Sequence, residues 1–201
     1  MAPPHEPIGV ILAGGLGRRM GGSKAIVELR GRPLICYPLA AMSEAVSEVR
    51  IVAKADTELP SLPGLTVWIE PEHPRHPLIG LVQALGLADG RPVLVCPVDL
   101  PFMTADLLRQ LAHAEPGDAP AVIVTHRGAL QPLLGCYQPR AGPLLASVAR
   151  EGELPVRQAV AAIGPRLFEL QDPQALFNVN APDDLLQAAA MLDRVHLGTK
   201  S

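Results

Sequence analysis

An α/β architecture, with a mainly parallel sheet covered by helices on both faces, is predicted by three observations. Short β-branched runs alternate along the chain with segments whose apolar residues recur at helical spacing. The first run, Ile8–Leu12, is apolar throughout and breaks into glycines, as a strand buried on both faces does. The chain's 201 residues suffice for one domain with a sizeable core, and no repeat or linker divides them.

Taken in order, residues 1–7 hold three prolines and no periodicity, and are expected to be a loose leader. Residues 8–194 are expected to form the single domain, and 195–201 a tail. After the Ile8–Leu12 strand and its glycines, residues 25–29 form a short apolar segment able to pack beside it. Pro33 is placed to open a helix over about 34–45, where Pro38 is tolerable only within the first turn. Residues 49–53 and 65–69 read as the second and third strands. A proline- and histidine-rich loop over 70–76 leads into a helix over 78–87. Residues 93–96 form the clearest buried strand after the first. Thr104 is a natural N-cap for a helix over 105–112, whose Leu107, Leu108 and Leu111 make one apolar face. Two strands (121–125 and 133–137), two helices (143–150 and 156–163), a last strand (166–170) and a closing helix (182–194) complete the pattern.

Composition narrows the function classes. Hydrophobic residues make up 48% of the chain, yet no apolar run approaches the roughly 18 residues that a membrane span needs. No charged segment precedes an apolar core in the manner of a secretory signal, so a cytoplasmic protein without a membrane partner is expected. A net charge of −3 and only 3% aromatic residues point away from nucleic-acid binding. Cys36, Cys96 and Cys136 are odd in number, widely spaced and without CxxC, which fits reduced, mostly buried thiols.

Chemistry concentrates in three places. The first is the loop after Leu12, Ala13-Gly14-Gly15-Leu16-Gly17-Arg18-Arg19-Met20-Gly21-Gly22-Ser23-Lys24. Glycines let backbone N–H groups approach a phosphate closely, and Arg18, Arg19 and Lys24 add three cations beside them. A nucleoside triphosphate site is expected. The P-loop pattern fails because Ser23 precedes Lys24, and the dinucleotide pattern fails because its third glycine falls on Met20. The second place is Cys96-Pro97-Val98-Asp99-Leu100-Pro101-Phe102, where a carboxylate between two prolines follows a strand. Parallel sheets bind ligands at the carboxyl ends of their strands, and Asp99 there could hold Mg²⁺ together with substrate phosphates. The third is Phe177-Asn178-Val179-Asn180-Ala181-Pro182, in which Asn178 and Asn180 share one side of an extended segment. Alone, those two asparagines read as turn or capping groups. With the other two motifs they read as ligand contacts.

The loop resembles L-A-G-G-x-x-x-R-M-G-G-x-K, the signature of nucleotidyltransferases that activate molybdopterin and sugar phosphates. The loop, P-V-D-L-P and N-V-N-x-P segments, in that order, resemble those of the molybdenum cofactor guanylyltransferases, over roughly residues 8–193. The resemblance implies a Rossmann-like nucleotidyltransferase fold, GTP as donor, molybdopterin or Mo-molybdopterin as acceptor, Mg²⁺ as cofactor and pyrophosphate as by-product. By matching position it implies Leu12, Ala13, Gly14 and Gly15 against guanine and ribose, with Gly15, Arg19 and Lys24 on the triphosphate. It further implies Asp99 on Mg²⁺ and Asn178 and Asn180 toward the pterin. Cytidylyl relatives carry L-A-A-G and D-Q-P, whereas Leu-Ala-Gly-Gly and Asp-Leu-Pro here favour guanine.

Two departures stand out. The family shows an aspartate after the third strand and then G-P-L-A-G, where this chain has Ile69-Glu70-Pro71 and His76-Pro77-Leu78-Ile79-Gly80. Glu70 is the candidate nucleoside contact in that aspartate's place. The family's threonine in N-V-N-T-P is Ala181 here, an expected loss of an N-cap worth about 1 kcal/mol. Gln131, read as opening the strand at Leu133, and Arg157, at the start of a helix, are weaker acceptor-site candidates. His73 and His76 share a loop that either faces the ligand or is plain surface.

The implied chemistry needs no strong protein base, because a phosphate monoester's second pKa lies near 6. The task is to bring two anions together, and Lys24, Arg19 and Asp99 with its metal are the expected catalytic groups. Rival readings are a nucleotidyltransferase using CTP or another acceptor, such as a phospholactate or sugar phosphate, and a GTP-binding carrier without turnover. A large acceptor also suits hand-off among upstream cofactor-synthesis proteins and recipient molybdoenzymes.

Overall fold

The computed structural model describes residues 6–15, 22–73, 76–151 and 154–198. Arg18 and Arg19, residues 1–5 of the leader and residues 199–201 lie outside the described residues.

A seven-stranded sheet organises the chain. In chain order the elements are β1 (Ile8–Leu12), a 3-10 turn (Lys24–Ile26), β2 (Glu28–Leu29), β3 (Arg32–Pro33), α1 (Cys36–Ala45), β4 (Val49–Ala53) and β5 (Thr66–Ile69). There follow α2 (Pro77–Leu87), β6 (Val93–Pro97), α3 (Ala105–His113), β7 (Ala121–His126), β8 (Ala129–Tyr137), α4 (Ala141–Glu151) and α5 (Val156–Ala162). β9 (Arg166–Glu169), a second 3-10 turn (Pro173–Leu176) and α6 (Pro182–Gly198) close the chain. The strand order is β5-β4-β1-β6-β8-β7-β9. β1 lies parallel to β4 and to β6, β4 to β5, and β7 to β9. β8 alone runs against its neighbours β6 and β7. The expected mainly parallel sheet is therefore correct, with one reversed strand inserted.

Its two faces are covered differently. On one, Leu39 and Met42 of α1 and Leu107, Leu108 and Leu111 of α3 pack with Ile11, Ile51 and Leu94. On the other, Leu78, Leu81 and Leu85 of α2 join Leu145 of α4 and Val160 of α5 over Val10, Val93 and Val95. Adjacent residues of β1 thus enter opposite cores, which is why that strand reads as continuously apolar. A third small cluster ties the β2–β3 ladder to α6 through Leu29, Leu34, Val179 and Ala188.

Several local expectations are corrected. Pro33 lies in β3, paired with Glu28, because Arg30 and Gly31 take positive φ and fold the chain back as a tight hairpin. The helix starts later, at Cys36, and Pro38 falls in its first turn, where its missing N–H costs little. The leader is not wholly loose: the Glu6 carboxylate accepts from Ser47 N at 2.9 Å and Ser47 Oγ at 2.7 Å. Thr104 caps α3 as expected, accepting from Leu107 N at 3.2 Å. Ala181 does not leave α6 uncapped. Asp184, three residues on, accepts from Ala181 N at 2.9 Å and from Asn180 N at 2.8 Å, the returning half of a capping box. α6 runs to Gly198, beyond the expected start of the tail.

Candidate active site

The carboxyl ends of β1, β4, β5 and β6 stand side by side, and the chain leaves each with a functional group. Leu12 O accepts from Val98 N at 3.1 Å, which brings the end of β6 against the start of the glycine loop. Ala13 N donates to Val52 O at 2.8 Å, and Glu70 N to Ala53 O at 2.9 Å, extending the ladder on the other side. Between these ends lies a cavity of about 350 Å³, lined among others by Leu12, Gly14, Gly15, Lys24, Glu70 and Asp99. Groups read from separate parts of the sequence (the start of the loop and its Lys24, Glu70, and Asp99) therefore share one space.

At the mouth, Lys24 Nζ lies 2.6 Å from Asp99 Oδ2 and 2.5 Å from Asn180 Oδ1. Lys24 is held by the 3-10 turn that follows the loop, and Asp99 by the rigid Pro97–Pro101 segment. Val179 N donates to Asp99 O at 3.0 Å, and buried Val179 anchors the segment so that its neighbours face outward. All three motifs thus meet at one ammonium group. Asn180 belongs to this cluster, while Asn178 beside it is exposed. Lys24 and Asp99 side chains keep 14% exposure each, so the pair is accessible to an incoming ligand.

Asp99 Oδ1 is buried and has no hydrogen-bond partner among the described residues. A buried carboxylate oxygen without a partner is costly. It is also the chemistry a hard divalent cation needs. Among the described residues no group of three His, Cys, Asp or Glu is placed to hold a metal, so an ion at Asp99 must take its remaining ligands from substrate oxygens and water.

Deeper in the cavity sits a pair that the sequence did not reveal. Lys54 Nζ lies 3.2 Å from Glu70 Oε1, and the side chains are only 4% and 7% exposed. Lys54 follows directly on β4, at a strand end like Asp99, and that position was its only signal. His76 also lines the cavity, and its Nδ1 accepts from Leu78 N at 3.3 Å as the cap of α2. Gln131 and Arg157 lie elsewhere. Gln131 is inside β8 and lines a second cavity of about 560 Å³ with His126, Asp172 and Phe177. Arg157 is exposed on α5 and lines neither of these two cavities. Burial raises the thiols of Cys96, strongly, and of Cys136, to about 12, so both stay protonated and inert as expected.

A family model for the MobA-like NTP transferase domain matches residues 9–166. The chain belongs to this family. A molybdenum cofactor guanylyltransferase of Cereibacter sphaeroides is 36% identical over 188 residues, spanning 92% of this chain and 96% of that one. Another, from Shewanella sp. (strain ANA-3), is 32% identical over 196 residues with the same two shares. Among solved structures, the molybdopterin-guanine dinucleotide biosynthesis protein A of Archaeoglobus fulgidus superposes with a TM-score of 0.77 at 23% identity, covering 93% of this chain and 99% of that one. The shared fold is the architecture described above. No helix among the described residues is long and apolar enough to cross a membrane.

Proposed function

We propose that this chain transfers GMP from GTP to the terminal phosphate of molybdopterin or Mo-molybdopterin, releasing pyrophosphate and forming the guanine dinucleotide form of the molybdenum cofactor. The observation that carries the reading is the meeting of Lys24, Asp99 and Asn180 at the mouth of a cavity floored by the glycine loop. The guanylyltransferase names of relatives above 30% identity support the same donor and acceptor.

An acceptor phosphate oxygen attacks the α-phosphorus of GTP, and the bond from that phosphorus to the oxygen bridging to the β-phosphorus breaks. Pyrophosphate leaves with that electron pair. Gly15 leaves room for phosphate close to the backbone, Gly14 packs against the Glu70 carboxylate on the nucleoside side, and Leu12 and Ala13 hold the loop in register with β4 and β6. Lys24 exchanges its contacts with Asp99 and Asn180 for the triphosphate, joined there by Arg19, and neutralises charge on the leaving group. Asp99, released from Lys24, would hold Mg²⁺, and the ion would supply positive charge that lowers the repulsion between the reacting phosphates. Glu70 contacts the nucleoside, and Asn178 and Asn180 line the acceptor side, with Gln131 and Arg157 as outlying acceptor contacts. The reaction belongs in the cytoplasm, with product passed to recipient molybdoenzymes.

The test is pyrophosphate release with Mg²⁺ and molybdopterin-loaded acceptor, comparing GTP with CTP, ATP and UTP. Release with GTP alone is the expected result. Release with CTP overturns the base assignment, and GTP binding without release with any nucleotide points to a carrier.

A further inference from the structure

The Lys54–Glu70 pair has no part in the phosphate chemistry above, yet it is among the most expensive features of the molecule. Two charges buried to this depth cost more in lost hydration than their attraction alone returns. The pair joins the ends of β4 and β5, strands already held by their own ladder. It faces the same cavity as Lys24 and Asp99. The surrounding structure is shaped to hold the carboxylate. A Cβ at Gly14 would lie 2.1 Å from Glu70 Oε1, and a Cβ at Gly80 would lie 2.4 Å from Oε2. The glutamate therefore stands between the loop after β1 and the first turns of α2, one oxygen toward each. Lys54 Nζ donates to Pro71 O at 2.7 Å and forms an ion pair with Glu70. Among the described residues, an ammonium with three N–H groups keeps a donor for a ligand.

We propose that Lys54 and Glu70 together select the nucleobase, with Lys54 donating to the O6 carbonyl of guanine and Glu70 accepting from its N1–H and 2-amino group. The proposal rests on the GTP reading above and adds Lys54 as a specificity-determining residue. Guanine's pairing edge sets one carbonyl acceptor beside two donors, the mirror of an ammonium beside a carboxylate. Adenine offers that carboxylate one donor and no carbonyl. Cytosine and uracil also supply one donor each. Hypoxanthine keeps O6 and N1–H but lacks the 2-amino group. A site with buried polar groups discriminates strongly because the wrong ligand leaves them unpaired. Gly14 enters selection indirectly, since an alanine there would displace the glutamate from its place against the loop.

Equilibrium titration of the whole chain with GTP, ITP, ATP and CTP tests this without the acceptor. Wild type is expected to bind GTP at least about tenfold more tightly than ITP, and CTP more weakly still. Lys54→Met/Glu70→Gln removes both charges while keeping similar shape, and is expected to fold, by circular dichroism, while binding the four nucleotides within about threefold of one another. If it keeps the wild-type preference, the pair is structural and the proposal fails while the GTP reading stands. If wild type itself does not favour GTP, both fail. Should the double variant not fold, Glu70→Gln decides alone: convergence of GTP and ITP supports the proposal, and an unchanged ratio overturns it.

Discussion

Two lysine–carboxylate pairs sit in one cavity and differ in almost every physical respect. Lys24–Asp99 is close, at 2.6 Å, partly exposed, and leaves one carboxylate oxygen buried without a partner among the described residues. Lys54–Glu70 is longer, at 3.2 Å, nearly sealed, and wedged against two glycines. The first pair joins residues 75 positions apart in sequence and keeps access to solvent. The second joins the ends of neighbouring strands β4 and β5 and has nowhere to move. An exchangeable pair suits charge that develops during reaction, whereas a fixed pair suits recognition of a ligand's shape and hydrogen-bonding edge.

The comparison can be broken most sharply at Lys24. Lys24→Ala is expected to slow pyrophosphate release on the order of 10³-fold while leaving the thermal transition near that of wild type, because it removes an exchangeable cation rather than a packed one. Near-normal turnover would remove Lys24 from the chemistry. At the fixed pair the cost should fall on stability instead. Lys54→Met leaves Glu70 buried and unpaired and should destabilise by about 3–5 kcal/mol, whereas the double Lys54→Met/Glu70→Gln should recover most of that loss, as urea denaturation would read. Equal stability of the two variants would mean that the pair is not desolvated.

Gly14→Ala drives a methyl group into the Glu70 carboxylate and should cost about 1–3 kcal/mol. Glu70→Asp in the same chain should relieve it by withdrawing the carboxylate, so an additive double mutant would refute the steric link. Away from the site, Thr104→Ala should cost about 1 kcal/mol through loss of the α3 cap.

The smallest effect is expected at the amino-terminal latch. Hydrogen bonds from the Ser47 hydroxyl, and next from its backbone N–H, hold the Glu6 carboxyl below its ordinary range. A folded value below the unfolded one stabilises the protein above the unfolded value and loses that contribution as pH falls through the folded value. Unfolding followed between about pH 6 and pH 3 should therefore show a shallower acid loss in Ser47→Ala than in wild type, by a margin kept small by solvent screening.

The first two motifs were legible in sequence because each begins where a strand ends, and the third because its alternating asparagines stand just before a helix. Once β1 and β6 are recognised, the loop, Lys24 and Asp99 belong to the same edge of the sheet. Lys54 is equally close to a strand end, but nothing in its neighbours distinguishes it from a surface lysine. Its partners, Glu70 and Pro71, arrive from the end of β5. Pro33 misled for a related reason: a proline that can open a helix can equally occupy a strand, and the Arg30–Gly31 turn decided between them. The cap lost at Ala181 was restored by Asp184, an acid that reads as first-turn dipole compensation until its bond to the backbone is seen.

The sequence by itself determined where most strands and helices form, since apolar spacing and capping residues act on near neighbours, and it named Lys24, Asp99 and Asn180, which the structure brings together. Tertiary structure alone decided that β8 runs backward between β6 and β7, that Asn180 closes on Lys24 from 156 residues away, and that Gln131 lines a different cavity. It also decided which of the lysines loses its water. Desolvation and pairing between distant strand ends are properties of the assembled sheet, and no local pattern carries them.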